Sequence, residues 1–136
     1  MVKAPFSYPL VIREQHLDTF GHVNNAAYLV LFEEARWEFI TQNGYGLNEV
    51  QKWQKGPVIL ELTMRFKREV KLKEKVTIVT HLAALDRKIT KLKQEMLKED
   101  GTVAAELDLV FGLFDLQARK LIDATPEWKK ALGLAD

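Results

Sequence analysis

Residues 18 to 28 read Asp18-Thr19-Phe20-Gly21-His22-Val23-Asn24-Asn25-Ala26-Ala27-Tyr28, a carboxylate, a glycine, a histidine and two asparagines placed directly ahead of an apolar periodic stretch. From Asn24 or Asn25 to about Gln42, apolar residues recur at Tyr28, Leu29, Leu31, Phe32, Ala35, Phe39 and Ile40, which is helical spacing. Either asparagine can cap that helix, and Asn43-Gly44 ends it as a left-handed C-terminal pair would. The apolar residues cover a wide arc, so the helix is expected to be largely enclosed by protein. Its first turn presents backbone N–H groups without intrahelical acceptors, which bind developing negative charge. Asp18 stands seven residues before Asn25. A base beside a ready-made oxyanion site is the minimum equipment for acyl transfer.

On either side of this segment the pattern changes. Tyr8 to Glu14 reads as a first strand, and Gln15 to Val23 as the loop after it. Tyr45 to Gly56 reads as a turn and a short second helix. After Pro57 the period becomes two. Val58, Leu60, Leu62, Met64 and Phe66 alternate with Ile59, Glu61, Thr63, Arg65 and Lys67, which predicts a long half-buried strand. Val76 to Ala84 alternates again, and residues 88 to 98 put Thr90, Leu92, Gln94 and Met96 on one face. Asp100-Gly101 is a hairpin signal. It leads into Thr102 to Asp115, the most apolar strand, with Val103, Ala105, Leu107, Leu109, Phe111 and Leu113 on one face. Lys120 to Ala124 follows, and Thr125-Pro126-Glu127 starts a terminal helix with threonine at the cap and proline in the first turn. One strand, a long helix and then hairpin-linked strands predict an α+β fold, with an antiparallel sheet wrapped around one helix.

Bulk properties narrow the chemistry. A chain of 136 residues is expected to form a single domain, residues 1–136, able to bury a core without crosslinks. The composition, 47% hydrophobic and 29% charged, is that of a soluble globular protein. A net charge of +1 gives no ground for a nucleic-acid partner, although Arg65, Lys67, Arg68, Lys71, Lys73 and Lys75 gather locally and suit a phosphorylated ligand. Cysteine is absent, which excludes disulfides, thiolate catalysis and thiolate metal sites. His16, His22 and His81 lack compact ligand spacing, so no metal is expected. No apolar run resembles a signal peptide or approaches membrane-spanning length, and the expected location is the cytoplasm.

The Asp18-x-x-Gly21-x-Val23 run leading into the helix resembles the active-site loop of hotdog-fold thioesterases, the 4-hydroxybenzoyl-CoA thioesterase-like superfamily. The His22-Val23-Asn24-Asn25-x-x-Tyr28 continuation is also similar to acyl-ACP thioesterases, and the order of elements fits over nearly the whole chain. The resemblance implies an acyl-CoA thioesterase that releases a free acid and CoA. Two subunits would join their sheets, as a dimer or a dimer of dimers, with active sites at the interface. No resident cofactor is implied; CoA would arrive with the substrate. An acyl-ACP thioesterase and a non-catalytic acyl-CoA binding module on the same fold are the alternatives.

The same resemblance gives residues their expected roles. Asp18 would attack the thioester carbonyl or deprotonate the water that does, although aspartate is also a common turn residue. The main-chain N–H of Asn25 would polarise the carbonyl, and Gly21 would let the backbone approach the ligand. His22 matches a catalytic histidine of the acyl-ACP enzymes, where it could orient Asp18, bond backbone or touch substrate. Met64-Arg65-Phe66-Lys67-Arg68-Glu69 resembles a second acyl-ACP motif and carries Glu69 over as a base or water-positioning group, against a reading as a solvated strand-end charge. Phe20 departs from that family, which has a catalytic asparagine there. Lys67, Arg68, Lys71 and Lys73 would meet CoA phosphates or an acidic carrier. Tyr28, Phe32, Leu60 and Leu62 could line an acyl tunnel, and Glu33 and Glu34 are expected to act structurally, as partners of Arg36.

Overall fold

The computed structural model describes residues 5–134. Its central element is α1, Asn25–Gln42, which buries Tyr28, Leu31, Phe32, Ala35, Phe39 and Ile40. Asn24 is the cap: its Oδ1 accepts from the Ala26 N–H at 2.8 Å. Around α1 run β1 (Phe6–Val11), a 3-10 turn (Glu14–His16), α2 (Leu47–Trp53), β2 (Lys55–Phe66), β3 (Lys75–Asp86), β4 (Ile89–Lys98), β5 (Val103–Asp115), β6 (Lys120–Ile122) and α3 (Pro126–Ala131). The first strand thus begins and ends earlier than the Tyr8 to Glu14 expected, because Glu14 belongs to the 3-10 turn.

Every strand pair is antiparallel, in the order β1-β3-β4-β5-β2, with β6 added beside the end of β5. Gly101, at φ 87, makes the tight β4–β5 turn that the Asp-Gly pair predicts. The sheet wraps α1 with Val76, Ile78, Leu92, Met96, Leu107, Leu109, Phe111 and Leu113 in one buried cluster with the helix residues. Burying a side chain such as Phe32 contributes roughly 1.5–3 kcal/mol. Trp128 of α3 closes one end of this core, edge-on to Tyr45 and Phe111 at 5.2 and 5.8 Å. Among the described residues, no helix is long and apolar enough to cross a membrane.

β2 differs from the expected half-buried strand. The register with β5 shifts between Ile59 and Glu61, leaving Leu60 as the extra residue of a bulge. A one-residue insertion reverses the alternation, so Pro57 and Ile59 share a face with Leu62, Met64 and Phe66, and Val58 does not. That face opposes the buried β5 residues Leu113, Phe111, Leu109, Leu107 and Ala105. Yet Ile59, Leu62 and Phe66 are 41%, 38% and 55% exposed, because α1 lies over β1 and β3 and leaves the β2 margin uncovered.

Beneath α1 a buried polar network ties helix to sheet. Gln94, wholly buried, donates through Nε2 to the Phe32 carbonyl at 3.0 Å and to Thr80 Oγ1 at 2.9 Å. Its Oε1 accepts from the Arg36 guanidinium at 3.1 Å. Arg36 is therefore held by Gln94 rather than ion-paired to Glu33 or Glu34, and Glu34 instead accepts the Tyr8 hydroxyl.

Candidate active site

The site is built where two loops meet ahead of α1. The Val23 N–H donates to Val70 O at 2.9 Å, and His22 pairs as an antiparallel bridge with Lys71. The second loop is anchored to β5 at a further bulge: Met96 pairs with Ala105 and Leu97 with Val103. The intervening Ala104 carbonyl accepts from the N–H groups of both Lys67 (2.8 Å) and Arg68 (3.0 Å). Backbone hydrogen bonds therefore hold the two loops at a fixed separation.

Asp18 organises its own loop. Its N–H donates to His22 O at 2.8 Å, and its Oδ1 accepts from the N–H groups of Phe20 (2.9 Å) and His22 (3.3 Å). Both bonds fall on Oδ1; Oδ2 accepts none among the described residues. The turn role thus falls on one of the two carboxylate oxygens. Gly21 has φ 81, in the left-handed region, and a Cβ there would meet nothing within 4 Å. The positive φ is a conformation that glycine adopts at little cost, in keeping with the backbone freedom expected of it. Phe20 projects from the loop, 81% exposed.

Asp18, His22, Asn25 and Tyr28 face Phe66, Lys67, Arg68 and Glu69 across one open cleft of about 540 Å³. Asn25 is the first residue of α1, so its N–H has no intrahelical acceptor and stands at the positive end of the helix dipole. The neighbouring Ala26 N–H is already taken, by Asn24 Oδ1 and by Asn25 Oδ1. The Tyr28 hydroxyl is pushed above its ordinary range by burial and by the negative charges of Glu74, Asp18 and Glu69. Tyr28 therefore meets the cleft as a neutral phenol, its ring edge-on to Phe66 at 5.3 Å.

His22 Nε2 lies 3.0 Å from Glu69 Oε2, and Lys71 Nζ lies 3.5 Å from the other Glu69 oxygen. Glu69 thus borders the cleft with its side chain still 53% exposed, and Lys71 is engaged by it. The cations divide. Lys67 Nζ is 3.4 Å from Glu106, a nearly buried carboxylate also approached by Arg65 (3.6 Å) and Lys93 (3.8 Å). Arg68 has no ion-pair partner among the described residues. Lys73 does not line the cleft. Of the four tunnel candidates only Tyr28 borders it; Phe32 is core, and Leu60 and Leu62 lie on the uncovered β2 margin. Phe66 was not singled out as a site residue from the sequence, although its period-two position beside the basic pair could have marked it.

Three comparisons bear on this geometry. A family model, the thioesterase-like superfamily, matches residues 12–132. The long-chain acyl-CoA thioesterase FadM of Escherichia coli is 30% identical over 122 residues, 89% of this chain and 92% of that one. The chloroplastic acyl-acyl carrier protein thioesterase ATL3 of Arabidopsis thaliana is 32% identical over 107 residues, 73% of this chain and 56% of that longer one. Among solved structures, the SAV2348 protein of Staphylococcus aureus, determined in complex with CoA, superposes with a TM-score of 0.89 at 21% identity, covering 96% of this chain and 83% of that one. At that identity it speaks for the fold, which is the hotdog fold. With the family match spanning nearly all the described residues, the chain belongs to the thioesterase-like superfamily and is a thioester hydrolase.

Proposed function

We propose that this chain hydrolyses acyl-CoA thioesters to a free carboxylic acid and CoA. The observation that carries the reading is the meeting of the Asp18 carboxylate and the Asn25 N–H across one cleft. Asp18 Oδ2, free of protein hydrogen bonds among the described residues, is the atom that deprotonates water or attacks the carbonyl itself. In the water route, water adds to the thioester carbon as one of its protons passes to Asp18. The oxyanion then accepts from the Asn25 N–H, where the helix dipole favours negative charge. Collapse of the tetrahedral adduct expels the CoA thiolate, which takes up the proton. Arg68, and Lys67 to the extent that Glu106 leaves it free, attract the CoA phosphates.

The likeness to FadM supports CoA as the carrier and favours long acyl chains. The bare outer edge of β2, with Ile59, Leu62 and Phe66 exposed, supports a second copy of the chain as its cover, in a dimer or a dimer of dimers. We read the chain as one domain acting in the cytoplasm, in keeping with its lack of cysteine.

An acyl-ACP substrate is the second reading, and the His22–Glu69 pair is what favours it, since both positions match that family's motifs. A binding module without turnover would not need Asp18 beside a free amide. Thiol release from a panel of acyl-CoAs tests the proposal. Turnover of at least one ester is expected; release from acyl-ACP but from no CoA ester would replace it with the second reading.

A further inference from the structure

Lys67 borders the cleft, yet the carboxylate it answers to stands outside it. Two points on β5 hold this lysine. The Ala104 carbonyl accepts its main-chain N–H at 2.8 Å, and Glu106 Oε1 lies 3.4 Å from its Nζ. Glu106 stands between the core residues Ala105 and Leu107, so the alternation of the strand turns it to the outer face of the sheet. Its side chain is only 11% exposed, whereas that of Lys67 is 48% exposed. Lys67 has no other ion-pair partner among the described residues.

The pair is asymmetric in what each member loses by parting. Glu106 has further cations: Arg65 Nη1 lies 3.6 Å from Oε1 and Lys93 Nζ 3.8 Å from Oε2. Arg65 also donates to Asp108 Oδ2 at 2.7 Å, and Lys93 faces Asp108 across the β4–β5 ladder. If the Lys67 ammonium swings away, the carboxylate keeps two cations and no nearly buried charge is left unpaired. The lysine, on a flexible four-carbon stem that is half exposed, is free to turn to a new anion. Glu106, held within the sheet, cannot follow it into the cleft.

We infer that Glu106 is a specificity-determining residue, an internal anion that competes with the phosphates of CoA for Lys67 and so weakens the binding of phosphorylated thioesters. The inference rests on the acyl-CoA reading above and adds to it what sets the affinity for the carrier. When CoA binds, the Lys67 ammonium exchanges a carboxylate for a phosphate, and only the difference between the two counts towards affinity. Without the carboxylate the ammonium waits unpaired, and its whole attraction for phosphate counts. A thioester that has no phosphate is indifferent to Glu106.

The test measures kcat and KM for the CoA ester that wild type cleaves fastest and for the N-acetylcysteamine thioester of the same acid, which keeps the reacting group and carries no phosphate. It uses wild type, Glu106→Gln, Lys67→Met and the double variant, at about 0.15 M ionic strength, where more distant charges are screened. Glu106→Gln is expected to lower KM for the CoA ester by about threefold with little change in kcat, the value of one half-exposed ion pair. In the Lys67→Met background the same substitution should leave KM where it was. KM for the N-acetylcysteamine ester should not move in Glu106→Gln. Glu106→Asp, which draws the charge back by one methylene, should shift KM in the same direction by less, and it serves if Glu106→Gln does not fold. An unchanged or higher KM for the CoA ester, an equal fall for both esters, or a fall that persists without Lys67 would each overturn the inference and leave the acyl-CoA reading standing. Absence of thiol release from every CoA ester would overturn both.

Discussion

His22 Nε2 and Glu69 Oε2 lie 3.0 Å apart across the mouth of the cleft, joining the loop that carries Asp18 to the loop that carries the basic pair. The His22 main-chain N–H meanwhile donates to Asp18 Oδ1. On the proposed mechanism Glu69 would act on Asp18 through His22, by fixing the loop in which Asp18 is held. Glu69→Gln and His22→Ala should each lower kcat by about tenfold, and the double variant should be little worse than either single one, as for residues acting as a unit. Additive losses would show two independent roles.

Arg68 and Lys67 should separate in their effects. Lys67 is shared with Glu106, whereas Arg68 faces the cleft without an ion-pair partner among the described residues. Arg68→Glu is expected to raise KM for acyl-CoA by about tenfold with a small change in kcat, the signature of lost uniform binding. Lys67→Glu should raise it less. The gap should narrow in high salt as the phosphate charges are screened. Equal effects, or an unchanged KM for both, would remove the phosphate assignment.

The Gln94 network is expected to matter for stability more than for chemistry. Gln94→Leu would leave Thr80 Oγ1 and the Phe32 carbonyl without its donor, and Arg36 without its acceptor. A loss of about 2–4 kcal/mol follows from buried groups left unpaired. Urea denaturation would show it as a lower midpoint; an unchanged midpoint would mean that water replaces the amide.

Alkaline pH should loosen the fold through Tyr45. Its hydroxyl donates to the Lys55 carbonyl at 2.9 Å, and burial, helped by the charge of Glu127, raises its pKa from the ordinary 10.0 to about 12. The folded state thus holds this proton more tightly than the unfolded chain. The stabilisation is complete below pH 10 and is lost as pH rises towards about 12. Urea midpoints measured over that window should fall less steeply for Tyr45→Phe than for wild type; parallel slopes would contradict the assignment.

The parts of the fold legible in the sequence were those set by local pattern. The spacing of Tyr28, Phe32, Ala35 and Phe39, with asparagines at its head, was enough to place α1 within a residue of its observed start. Thr125-Pro126 likewise marked α3, where Thr125 Oγ1 accepts from the Trp128 N–H. The bulge at Leu60 was not legible: an extra residue in a β-branched and leucine-rich strand leaves the composition unchanged while reversing every later side chain. Nor was the Arg36–Gln94 bond, whose partners are 58 residues apart and meet only once the sheet is folded. In the cleft, Asp18, His22, Asn25, Tyr28, Lys67, Arg68 and Glu69 were all named from the sequence and do converge. The motif supplied their identities, but which Asp18 oxygen the turn occupies needed the loop geometry.

The most direct test of the central claim is thiol release from long-chain acyl-CoA by wild type and by Asp18→Asn. An asparagine Oδ1 can still accept from the Phe20 and His22 N–H groups, so the loop should keep its shape while the basic oxygen is gone. Turnover is expected to fall by roughly 10²–10⁴-fold, with CoA binding and thermal stability close to wild type. Wild-type turnover in a folded Asp18→Asn protein would contradict the assignment of Asp18 as base or nucleophile.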